Sequence, residues 1–92
     1  MIDKDTFYIK LGERIKKARV DAGFTLEMLN ENSGLKLSKG SFSAMENGKQ
    51  QVSAYQLYCI SKVLHIPIDA LADNVAKKSD IPEEDIKKIN EV

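Results

Sequence analysis

Apolar side chains recur along this chain at the three- and four-residue spacing of a helix, in short pieces, and a glycine or proline closes most of them. Nothing alternates with the period of two that a half-buried strand requires. A chain built this way must pack several short helices against one another, because none is long enough to be stable alone.

The first piece runs from about Asp5 to Ala22, with Phe7, Leu11, Ile15 and Ala18 on one stripe. Lys10, Glu13, Lys16 and Lys17 lie off that stripe, and Gly23 supplies a left-handed stop. Thr25 is an N-cap residue for a second helix over 25–33, which buries Leu26 and Leu29 and ends at Ser33-Gly34. Glu27 falls in its first turn, where the helix dipole favours a negative charge. Ser38 opens a third helix over 38–47, with Phe42 and Met45 inward and Gly48 closing it. Ser53 opens a fourth, with Gln56 at capping-box spacing and Leu57, Ile60, Ser61 and Leu64 as its core face. Pro67 disfavours a helical Ile66 and ends that helix. A fifth stripe contains Ile68, Leu71, Ala72 and Val75. Ile81, Ile86 and Ile89, with Pro82 near the first turn, indicate a short tail helix. The expected architecture is all-α, a compact five-helix orthogonal bundle plus a short C-terminal tail helix.

With 92 residues there is material for one core. Residues 1–78 form the expected domain, and 79–92 an acidic tail that could dimerise. The formal net charge of zero hides an asymmetry: residues 79–92 carry a net of −3 and residues 1–78 a net of +3. A mildly basic body permits phosphate binding without demanding it. Apolar runs fall far short of the roughly 20 residues a membrane span needs. The opening MIDKDTFYIK does not read as a secretion signal. One cysteine, Cys59, cannot form an internal disulfide, and it reads as a small core residue in a reducing, cytoplasmic setting. His65 is the only histidine, so no metal site of familiar spacing can be assembled, and no nucleophile–base arrangement exists. The chain is expected to be neither an enzyme nor a carrier of a cofactor.

The residues of the second and third helices carry more. Leu11-Gly12, Ile15, Arg19, Gly23, Thr25, Leu29 and Gly34 are followed by the stretch from Ser38 to Gly48 (SKGSFSAMENG), then by Leu57, Ile60, Leu64 and Leu71. In that order and spacing they resemble the helix-turn-helix domain of the phage repressor and Cro superfamily, also called the XRE family. The resemblance spans Leu11 to Leu71. It implies a lambda repressor-like fold and a DNA-binding transcriptional regulator whose third helix enters the major groove. It implies a buried ion pair between Arg19 and Glu46. It also puts Lys39, Gly40 and Ala44 where base-reading side chains lie. Lys39 can donate to guanine O6 or N7, and Ala44 can touch a thymine methyl. Ser41 and Ser43 offer short hydroxyls, while Asn47, Lys49, Gln50 and Gln51 fall where backbone contacts cluster. Lys36 is a further phosphate candidate, and Thr25 and Ser38, at the two caps, complete the set.

The chain departs from the family pattern at four places. Leu26 stands where Gln is common, Asn30 where a small Ala usually lies, and Val52 where Pro is frequent. The turn is about two residues longer around Lys36-Leu37 than the commonest spacing. Two functional classes therefore stay open. One is a homodimeric repressor on double-stranded DNA, of phage or mobile-element type, with the tail helix as dimer surface. The other is a protein-interaction module, an antitoxin-like adaptor that uses the same fold with weak or no DNA binding.

Overall fold

Four short polar side chains start four of the helices. In the computed structural model, which describes residues 3–73, Asp3, Thr25, Ser38 and Ser53 accept from the backbone N–H of Thr6, Met28, Ser41 and Gln56, each at 3.1 Å. Each bond satisfies one of the donors that a helix start leaves without an internal partner. Gln56 answers Ser53 by accepting from its N–H at 2.9 Å, which completes the capping box.

The helices are α1 (Lys4–Asp21), α2 (Leu26–Ser33), α3 (Lys39–Glu46), α4 (Ala54–Leu64) and α5 (Ile68–Asp73). The described residues thus form an all-α, five-helix bundle, with no strand among them. The expected α1 start near Asp5 moves back because Asp3 supplies the cap. Gly34 ends α2 in the left-handed region, φ 72°. His65, a non-glycine, ends α4 in the same region, and Ile66 N–H then donates to Ser61 O. Val75, the tail helix with Pro82, Ile81, Ile86 and Ile89, and the boundary at 78/79 lie outside the described residues.

One core joins all five helices. Leu11, Ile15, Leu29, Phe42, Met45, Ile60 and Leu71 are essentially inaccessible, with Val52 and Leu64 beside them. Burying each such side chain contributes about 1.5–3 kcal/mol. Phe7, Ala18, Leu26 and Leu57, expected on the inner stripes, are partly buried and pack at the edge of this core. Cys59, expected inside, is only half-buried, because Ile60, Ser61 and Leu64 hold the inward face of α4.

The contact that sets α3 in place is with α1. A Cβ on Gly12 would lie 2.6 Å from Glu46 O, so the helices approach at a distance only glycine permits. Just beyond α3, Gly48 takes φ 75°, and a Cβ there would run into Ile9. No helix among the described residues is long and apolar enough to cross a membrane.

Candidate nucleic-acid interface

α3 is short, and its two faces differ sharply. Phe42 and Met45 are wholly buried and Glu46 nearly so, while Lys39, Gly40 and Asn47 are exposed. Ser41, Ser43 and Ala44 are half-buried on its flanks. The core therefore grips α3 by one side and leaves its first turn and opposite side open. Apart from its chain neighbours and the backbone of its own helix, no described atom lies within 4 Å of where a Gly40 Cβ would be.

The residues beyond α3 fold back onto its end. Lys49 and Gln50 N–H both donate to Ala44 O, at 2.9 and 3.3 Å, which keeps Lys49 and Gln51 exposed beside the helix and Gln50 half-buried. Asn47 Nδ2 reaches Ser43 Oγ at 3.5 Å. Lys36 projects from the turn of residues 34–38, its backbone in the left-handed region with φ 55°. Three lysines, Lys36, Lys39 and Lys49, thus flank α3 before, at and after its length. Thr25 and Ser38 spend their hydroxyl oxygens as cap acceptors, and each hydroxyl keeps its own hydrogen to donate elsewhere.

Lys39 has a neighbour that the sequence reading did not pair with it. Its Nζ lies 3.6 Å from Glu27 Oε1 in the first turn of α2, with both side chains about three-quarters exposed. An open pair of this kind stabilises the fold by no more than about 1 kcal/mol.

The ion pair implied by the resemblance is present. Arg19 Nε donates to Glu46 Oε2 at 2.7 Å and Nη2 to Oε1 at 3.1 Å, a bidentate fork. Arg19 Nη1 also donates to Phe24 O at 2.7 Å. The side chains are only 12% and 4% exposed, so the pair ties the last turn of α1, the loop before α2 and the end of α3 in one dry knot.

Asn30, which the sequence marks only as a departure from the family pattern, has a structural role. Its Oδ1 accepts from Leu37 N–H at 2.9 Å, and its Nδ2 donates to Leu37 O. Two departures from the family pattern, a polar residue in place of Ala and a longer turn, are one feature: the carboxamide satisfies the backbone that the longer turn introduces. Their coincidence in the sequence was the available signal.

Away from α3, Tyr55 and Tyr58 are exposed on α4, and Lys62 Nζ stands 5.3 Å from the Tyr58 ring centroid. A hydrogen bond with Cys59, its charge and slight desolvation hold the Tyr55 phenol above its ordinary value. Among the described residues no group of three or more His, Cys, Asp or Glu could hold a metal ion. No protein-family model matches the chain, and no curated protein matches it either.

Proposed function

We propose that this protein is a sequence-specific DNA-binding transcriptional regulator that lays α3 in the major groove. The observation that carries the reading is the orientation of α3: its apolar side is consumed by the core, and its free side presents Lys39, Gly40 and Asn47 between Lys36 and Lys49. In this reading α2 crosses the backbone, Lys39 reads a guanine edge, and Ala44 meets a thymine methyl. Lys36, Lys49, Gln50 and Gln51, with the Thr25 and Ser38 hydroxyls, position the domain on phosphates. Gly40 contributes no hydrogen bond, so groove shape supplies part of the discrimination. The chain acts in the cytoplasm as a homodimer on paired half-sites, without cofactor or catalysis, since one such domain offers a small interface.

Selection of bound fragments from random double-stranded DNA by the purified chain tests this reading. A regulator enriches a defined, near-palindromic motif, and its affinity falls steeply with salt. Absence of any association with duplex DNA at low salt would leave the second reading, a partner-binding module. That reading draws support from the neutral overall charge and from the exposed Tyr55 and Tyr58 on α4.

A further inference from the structure

The Glu27–Lys39 pair lies between the helix assigned to the groove and the helix assigned to the backbone. It rims a cleft of about 400 Å3 lined by Arg19, Gly23, Phe24, Thr25 and Leu26. Within that rim, Arg19 is already committed to Glu46 and Phe24 O, so Lys39 is the one exposed cation there. Its ammonium faces a carboxylate at 3.6 Å, and the two charges cancel where a polyanion would arrive. The fold gains little from this pair. Both side chains are open to water, and the favourable place of the Glu27 charge in the first turn of α2 does not depend on Lys39.

Resting on the DNA-binding reading above, we infer that Glu27 is an internal rival of DNA for Lys39. It lowers the affinity for duplex of any sequence and makes engagement of Lys39 conditional on displacing the carboxylate. The physical basis is direct. A phosphate or a guanine edge can take Lys39 only by opening the pair, and the freed carboxylate then stays close to the backbone charge. With Glu27 paired to it, Lys39 contributes little to the release of counterions on nonspecific DNA, and Lys36 and Lys49 are left to carry that attraction. A correct site recovers the loss through the guanine contact, whereas a random site does not. Glu27 is thus a repulsive element set beside an attractive one.

The test is a salt series of anisotropy titrations with the full chain. It uses one labelled duplex of random sequence, wild type, Glu27→Gln, Lys39→Gln and the double variant. Glu27→Gln should bind this duplex about two- to five-fold more tightly at low salt, the range an exposed pair can supply. The dependence of log affinity on log salt should steepen by up to about 0.9. In the Lys39→Gln background the same substitution should recover much less, because the rival has lost its object. Equal gains in both backgrounds would mean that Glu27 acts by simple repulsion, and the pairing idea would fall. Weaker binding by Glu27→Gln would mean that the carboxylate touches DNA as an acceptor, and would also overturn it. Either result leaves the DNA-binding reading standing. No association of any variant with duplex would remove that reading and this inference together.

Discussion

The Asn30 carboxamide closes on both backbone polar groups of Leu37, accepting from its N–H at 2.9 Å and donating to its carbonyl. The arrangement copies two rungs of a sheet ladder with one side chain. It bridges α2 to the last residues of the turn, so the path into α3 is held by a side chain rather than by the shortness of the connection. Ser33 Oγ adds to this by donating to Asn30 O at 3.0 Å and accepting from Leu35 N–H at 3.4 Å. Lys36 occupies the left-handed region between these anchors, a conformation a non-glycine adopts at some energetic cost.

Replacement of Asn30 by Asp keeps the acceptor but loses the donor to Leu37 O. The variant should lose about 1–3 kcal/mol at neutral pH. A protonated acid could donate again, so the folded state should bind that proton more tightly and raise the carboxyl above its usual value of about 3.9. A raised acid pKa means that relative stability is greatest at low pH and declines as pH rises through the folded-state value. Urea unfolding of both proteins at about pH 4 and about pH 7 checks this, and an equal deficit at both would contradict it.

Glu46→Ala strands the Arg19 guanidinium in a setting only 12% exposed. The expected loss is about 3–5 kcal/mol of folding stability, seen as a lower midpoint in urea. DNA affinity should fall only with the folded fraction, because Glu46 faces away from the open side of α3. A large loss of binding in a fully folded variant would place Glu46 in the interface instead.

Two glycine-to-alanine substitutions should act in opposite directions. Gly12→Ala drives a Cβ to 2.6 Å from Glu46 O, and overpacking of this kind costs about 1–3 kcal/mol. Gly40→Ala meets nothing within 4 Å beyond its chain neighbours and its own helix backbone and removes unfolded-chain freedom, so it should stabilise the fold by up to about 1 kcal/mol. Thermal unfolding of both variants reads the signs directly. A DNA complex weakened by the stabilising Gly40→Ala change would show that backbone approaches the groove at this position.

Lys39 and Lys49 separate reading from positioning. Lys39→Ala should relax preference at a single base pair of the selected site. Lys49→Ala should weaken all sequences about equally and reduce the salt slope by about 1. Competition titrations against single-base variants of the site distinguish them. If neither change alters DNA binding, the placement of α3 is wrong.

What the amino-acid sequence determined here was local. Thr25, Ser38 and Ser53 mark their helix starts because a short side-chain oxygen within reach of the third N–H is sufficient, whatever surrounds it. Gly23, Gly34 and Gly48 mark stops because glycine adopts the left-handed backbone freely. Phe42 and Met45, three apart, identify the buried side of α3 by periodicity alone. Three-dimensional packing decided what depends on groups distant along the chain. Asn30 found the backbone of Leu37, Gly12 let α1 reach the end of α3, and Lys39 came to face Glu27. Cys59 moved to the half-buried rim because α4 turns another face inward. No spacing rule contains those pairings, because each arises from how two helices approach, and that approach is set by the whole core at once.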